Sequence, residues 1–187
     1  MYLDSADIRK NIVSLAKMLG YTPNSPRAPI ADLAVRVNNV PSTTTSLTLD
    51  KGTTFTTSVN NTSYQFVTNQ SYVIQPTAGV YNFSSVKIYE GTLVTFKYTV
   101  DSDDVDQKFV IPSDNADTST LKVSIQTSAS DTTTEVYSLA NSYSGLTDIS
   151  KSYFLQEGVD ERYEVYFGDG VLGKKPVDGN IIILEYI

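Results

Sequence analysis

The sequence contains no cysteine, no histidine and no tryptophan. Without cysteine there is no disulfide, no thiolate zinc site and no thiol nucleophile. Without histidine the chain lacks the usual general base, the Ser-His-Asp arrangement and the commonest transition-metal ligand. Cations are also scarce, with 14 Lys and Arg against 21 Asp and Glu, a formal net charge of −7 and no long basic run. Nucleic-acid binding leans on cationic patches that displace counterions, so neither DNA nor RNA is expected as a partner. No apolar run approaches the roughly 20 residues of a membrane-spanning helix, and no membrane partner is expected. Residues Met1 to Lys10 show no basic region leading into an apolar core, so no signal peptide is read there. Carboxylates, Lys, Tyr, Ser and Thr are what remains for chemistry. An enzyme is not expected.

What is present suits folding. With 187 residues and 40% hydrophobic content, the chain can bury the core of one substantial domain or two small ones. Three sections stand out: 1–40, an N-terminal helix and connection; 41–150, a Thr-rich β domain; and 151–187, strands with a glycine-rich connection. Asp4-Ser5 can cap a helix whose stripe is Ile8, Ile12, Leu15 and Leu19, with Gly20 and Pro23 as stop signals. This amphipathic helix, Ser5 to Leu19, is a candidate protein contact. Between Pro29 and Val40 helical and alternating patterns compete, and the β-branched Val35 and Val37 favour a strand from Leu33 on.

From Ser42 onward, short alternating runs are separated by turn residues such as Asp50-Lys51-Gly52, Asn60-Asn61 and Glu90-Gly91. The runs are 46–49, 53–59, 64–67, 72–74, 86–89, 93–100, 108–111, 121–127, 136–139, 153–156, 163–167 and 181–186. The expected fold is therefore mainly β with an N-terminal α-helix, its body an antiparallel β-sandwich or barrel-like domain. Val94, Phe96, Tyr98 and Val100 alternate as the apolar face of a half-buried strand, and Ile181 to Leu184 reads as a central strand covered on both sides. Because Ile187 follows directly on that strand, the chain is expected to continue into a longer polypeptide.

The stretch Phe167-Gly168-Asp169-Gly170-Val171-Leu172-Gly173-Lys174-Lys175-Pro176 holds most of a phosphate-binding loop. Such a loop needs a Ser or Thr after the lysine and a helix behind it. Lys175 occupies the first position, and Val177-Asp178-Gly179-Asn180 leads straight into Ile181. The expectation is a structural turn motif formed by Gly168, Asp169, Gly170, Gly173, Pro176 and Gly179, with glycines at positive φ. The acidic run Asp101 to Asp106 lacks the glycine and the terminal glutamate of a helix–loop–helix calcium site, and reads as a hairpin tip between Val100 and Lys108. Glu157, Asp160, Glu161 and Glu164 offer carboxylates of the glycosidase kind, but any acidic loop does so. Thirteen tyrosines suit a glycan-binding face or a protein interface, although strand packing explains many of them. No metal, cofactor or catalytic residue is assigned.

Taken in order, Leu19-Gly20-Tyr21-Thr22-Pro23, Leu49-Asp50-Lys51-Gly52-Thr53-Thr54-Phe55, Tyr64-Gln65-Phe66-Val67-Thr68 and the late glycine-rich run carry a resemblance. The sequence is similar to the baseplate-J-like family, and within it to the larger wedge proteins of contractile-tailed bacteriophages. The resemblance spans most of the chain except about Asp101 to Ser144. It implies a virion structural role, in a tail baseplate assembled in the host cytoplasm, with other wedge subunits and the chain itself as partners. It also implies a β-rich setting for the glycine run. A surface-binding β-module, such as a tail adhesin or glycan-binding domain, is the alternative.

Overall fold

The computed structural model describes residues 24–158 and 162–187; the expected N-terminal helix, with Ile8, Ile12, Leu15 and Leu19, lies outside them. The described chain is mainly β. Its strands are β1 (Ile30–Val37), β2 (Leu47–Leu49), β3 (Thr54–Val59), β4 (Thr62–Val67), β5 (Tyr72–Ile74), β6 (Tyr81–Glu90) and β7 (Val94–Thr99). They continue with β8 (Phe109–Val110), β9 (Lys122–Gln126), β10 (Thr134–Leu139), β11 (Ser152–Glu157), β12 (Tyr163–Phe167) and β13 (Ile181–Tyr186). Every run expected from alternation holds a strand. Two strands begin three or more residues earlier than expected, β1 at Ile30 and β6 at Tyr81.

These strands form two compact units whose limits differ from the sections 1–40, 41–150 and 151–187. Composition marks Thr-rich surface, and such surface occurs in both units. The first unit, Arg27–Val94 with Tyr186–Ile187, holds a four-stranded half-barrel sheet in the order β1-β6-β4-β3 and the two-stranded ribbon β2-β5. Phe83, Val86 and Ile88 of β6 are its buried centre, and Leu47, Leu49, Tyr72 and Ile74 of the ribbon pack against them. Each of the three buried β6 side chains contributes about 1.5–3 kcal/mol by leaving water.

Local chemistry sets the turns of this unit. Asn60 and Asn61 both take positive φ (49° and 64°), which closes the β3–β4 hairpin as a type I′ turn. Thr68, fully buried, clamps the Asp50–Thr53 turn. Its hydroxyl donates to the Asp50 carbonyl (2.9 Å) and accepts from the Thr53 N–H (3.1 Å), while its carbonyl accepts from the Gly52 N–H (2.9 Å). The separate stretches Leu49–Phe55 and Tyr64–Thr68 are thus one physical feature. Along β6 the pattern breaks at Ser84-Ser85, the two residues standing opposite Ala34 in a β-bulge, while β1 keeps unbroken alternation.

The second unit, 24–26 with Thr95–Glu185, is built on a seven-stranded, nearly closed barrel-like sheet in the order β7-β13-β9-β10-β11-β12-β8. Strands β9–β10, β9–β13, β11–β12 and β12–β8 pair antiparallel. The expectation of an antiparallel sheet fails at β10–β11, which pair in parallel through Ser138–Ser152 and Leu139–Tyr153. A parallel pair cannot be joined by a tight hairpin, and the connection 140–151 is the crossover it demands.

Strands β7 and β8 stand at opposite ends of this sheet although they follow each other in sequence. The segment from Val100 to Lys108 is therefore not the tip of a hairpin. Side chains substitute for a ladder: the Tyr98 hydroxyl donates to the Val110 carbonyl at 2.7 Å. Gln107 donates to the Thr99 carbonyl (2.9 Å) and accepts from the Asp101 N–H (3.1 Å). Rings run on from this seam in edge-to-face contact, from Phe96 through Tyr98, Phe109 and Phe167 to Tyr137. Val123, Ile125, Val165, Ile182 and Leu184 are also buried in this unit.

Two expectations about strand faces need correction. The apolar face of β7 is only partly covered, with Val94 and Phe96 each 37% exposed, because β7 is an edge. In β13, which lies between β7 and β9, Ile182 and Leu184 are fully buried but Ile181 and Ile183 only half-buried, so one face alone is sealed.

Candidate functional site

The glycine-rich connection between β12 and β13 opens with a tight loop. Asp169 accepts the N–H groups of Val171 and Leu172 on Oδ1, both at 2.9 Å. The Gly170 N–H donates to the Gly173 carbonyl (3.1 Å), closing the turn. Gly170 and Gly173 have φ of 91° and 100°, as expected from their place in a turn. Gly168 is different: its backbone is not left-handed, and the requirement is close approach. A Cβ there would lie 2.2 Å from the Leu172 carbonyl oxygen and 2.5 Å from the Gly173 Cα. Gly168, Asp169, Gly170 and Gly173 thus belong to one loop.

Gly179 belongs to a second turn, Val177–Asn180, which Pro176 precedes without taking part in it. Gly179, at φ 76°, donates to the Val100 carbonyl (3.0 Å), and Asn180 binds back to Val177 and across to the Thr127 carbonyl (2.8 Å). The first loop is braced by a different neighbour. Gly173 donates to the Thr147 carbonyl (3.0 Å) and Lys174 to the Ser150 carbonyl (2.8 Å), both in the 140–151 crossover.

Every backbone N–H from Gly170 to Lys174 is therefore engaged by an acceptor of the chain itself. A phosphate cradle needs those groups free and convergent, and here the carboxylate of Asp169 takes two of them. The Lys174 ammonium, which would serve a phosphate, binds Glu135 of β10 at 2.5 Å, and Lys151 binds the same carboxylate at 3.2 Å. These groups are partly exposed, so the pair is worth little. Lys174→Ala is expected to lower stability by less than about 1 kcal/mol and to change no nucleotide affinity. Denaturant melts and ATP titration check this, and ATP binding that disappears with Lys174 would reverse the reading of the loop.

Both carboxylates have a pKa below the ordinary value. For Asp169 the causes are the Leu172 and then the Val171 N–H; for Glu135 they are the hydrogen bonds from Lys174 and then Lys151. In the window between folded and unfolded pKa the folded chain binds fewer protons, so this contribution is present above the unfolded pKa and lost as pH falls through the folded one. Denaturation followed from neutral pH into the acid range should show stability declining, and declining less steeply in Asp169→Asn.

The other candidates separate. The acidic run forms local turns in which Asp101 caps the Asp103 N–H (3.0 Å) and Asp104 the Asp106 N–H (3.1 Å), and Asp178 accepts from Ser102 (3.0 Å). Among the described residues no cluster of three or more Asp, Glu, His or Cys side chains is placed to hold a metal. The run does border a cleft of about 540 Å³, with Lys108, Glu164, Tyr166 and Pro176 on its walls. Glu164 is committed to Lys108 (3.2 Å) and Gln156 (3.1 Å), Glu157 is buried, and Asp160 and Glu161 lie outside the described residues.

Packing accounts for most tyrosines. Tyr81, Tyr137, Tyr153, Tyr163 and Tyr186 are buried, and Tyr143, at 53%, is the one described tyrosine classed as exposed. It lies against Phe154 (4.5 Å between centroids), which stacks on Tyr166 (5.1 Å). Burial holds the hydroxyls of Tyr137, Tyr153 and Tyr166 up to about 12, with Glu135 adding to the effect at Tyr137 and Tyr143 at Tyr166.

Sequence reading missed the outward side of the brace. Val171 (71% exposed), Leu172 and, from the crossover, Ile149 (75%) are apolar side chains left in solvent on two loops bonded to each other. It also missed Asp117, which is buried and caps the 3-10 turn Thr118–Thr120, and Ser25, whose hydroxyl binds Thr118. No periodicity signals these long-range bonds. No protein-family model matches the chain, and no curated protein matches it.

Proposed function

We propose that this chain is a structural component of a contractile phage tail baseplate, part of the wedge or inner-ring scaffold, acting through protein–protein contacts. Its partners are other wedge subunits and the chain itself, and its place is the virion. The observation that carries the reading is the state of the glycine-rich loop. The run with the most specific family resemblance has its N–H groups engaged internally, and it braces a second loop with Val171, Leu172 and Ile149 facing outward. Apolar groups held on a stiff, hydrogen-bonded brace suit docking, since little ordering entropy remains to be lost on contact.

The test is co-expression with the remaining wedge subunits of the same baseplate, followed by affinity capture. The chain should bring down a wedge subunit, and Val171→Asp with Leu172→Asp should reduce the yield at unchanged melting temperature. Failure to capture any wedge subunit overturns the proposal. The alternative, a tail adhesin or glycan-binding module, draws on the abundance of tyrosine. Packing takes up most of the described rings, and Tyr143 is the exposed one among them. Glycan-array binding that vanishes in Tyr143→Ala would favour this alternative.

A further inference from the structure

Among the described residues the four-stranded sheet has two open edges, β1 and β3. Open edges are templates for another strand, and proteins usually guard them with charges, bulges or proline. Strand β3, Thr54 to Val59, is uncharged and, apart from half-buried Phe55, exposed, so no charge in it selects a partner or a register. Strand β1 differs. It is regular, since the bulge lies in β6, and its outer face carries one acid and one base at Asp32 and Arg36, flanking Ala34.

The backbone direction of β1 follows from its pairing. Glu90 donates to the Pro29 carbonyl (2.9 Å), while Ile30 stands opposite Tyr89 as the next pair. Antiparallel ladders alternate, so residues 29, 31 and 33 turn their backbone groups toward β6. Ile30, Asp32, Ala34 and Arg36 turn theirs toward the open edge. These are the same four residues whose side chains are exposed. The half-buried residues Ala31, Leu33, Val35 and Val37 line the other, core-facing side of the sheet.

We propose that β1 pairs antiparallel with β1 of a second copy of this chain, about a two-fold axis through Ala34. In that register Asp32 meets Arg36 of the second copy, and Arg36 meets its Asp32. On the core-facing side Leu33 lies beside the second copy's Val35, and Val37 beside its Ala31, continuing the apolar face across the junction. Sliding the strand by two residues either way leaves both charges without partners, and sliding it further sets like charges opposite one another. Charge thus selects both the orientation and the register, as a self-complementary two-fold contact requires. Within its own sheet Asp32 faces Lys87 on β6, and Arg36 faces Asn82. The pairing deepens the contact reading above, on which its biological meaning rests.

The chain has no cysteine, which gives a clean test. Directly paired residues of a hydrogen-bonded antiparallel pair have Cα atoms about 5.5 Å apart, within disulfide reach. Ala34→Cys should therefore give a disulfide-linked dimer on mild oxidation, whereas Val73→Cys, 66% exposed in the same unit, should stay monomeric. In sedimentation of the unmodified full chain a dimer is expected over a concentration series. Arg36→Asp should weaken it about tenfold, and combining it with Asp32→Arg should restore it, with circular dichroism melts confirming that each variant folds. A chain that stays monomeric, or a dimer indifferent to Arg36→Asp that fails to cross-link at position 34, overturns the pairing. Either result leaves the wedge reading to stand or fall on the capture experiment.

Discussion

Gly168→Ala is expected to destabilise the second unit by about 3 kcal/mol or more, a large effect for one methyl group on a surface connection. The added Cβ would fall at 2.2 to 2.5 Å from backbone atoms of Leu172 and Gly173, and backbone cannot turn aside as a long side chain can. Relief requires the loop to open, which would break the Gly170-to-Gly173 bond, loosen the Asp169 cap and withdraw Gly173 and Lys174 from the crossover. Gly179→Ala is the internal comparison. Nothing lies within 4 Å of its Cβ, so only its positive φ is penalised, at about 1 kcal/mol. Urea denaturation of the two variants measures the difference. Equal costs would mean that the packing of Gly168 against Leu172 and Gly173 contributes nothing.

The second large effect is in β13. Ile182→Ala is expected to cost about 2–5 kcal/mol, because Ile182 is 0% exposed in an inner strand and its removal leaves a cavity. Ile183→Ala, one residue along and half-buried on the opposite face, should cost well under half as much. Sequence alone assigns the two isoleucines the same role, since four consecutive apolar residues read as covered on both faces. Matching losses would show that the second face of β13 is covered as well.

That contrast shows where the sequence was readable. Alternating or apolar runs located every described strand from β2 on, β-branching favoured a strand at β1, and turn chemistry located Asn60-Asn61 and the loop at Gly170 and Gly173, because these signals act over a few residues. The need for glycine at 168 was legible, but its reason was not. Close approach of Leu172 depends on the folded course of the loop, whereas positive φ is a property of one residue. Strand order, the parallel β10–β11 pair and the placement of β7 and β8 at opposite edges arise from contacts far apart in sequence, which no local pattern encodes. The same applies to Thr68, an ordinary threonine in the chain and a fully buried clamp in the fold. For the candidate site, the identities of Gly168, Asp169, Gly170 and Gly173 were readable, but the partner loop at Thr147 to Ser150 was not.

The parallel pairing of β10 and β11 reaches beyond the sheet. A chain that leaves one strand and enters its neighbour in the same direction must first travel back along it, and residues 140–151 are that return path. Ile149 and the carbonyls that brace the glycine loop exist in this molecule because of the detour. Were β11 reversed, a short hairpin would suffice, and the outward surface would lose one of its two halves. The direction of β11 and the presence of Ile149 on a loop bonded to the glycine run are in this sense coupled.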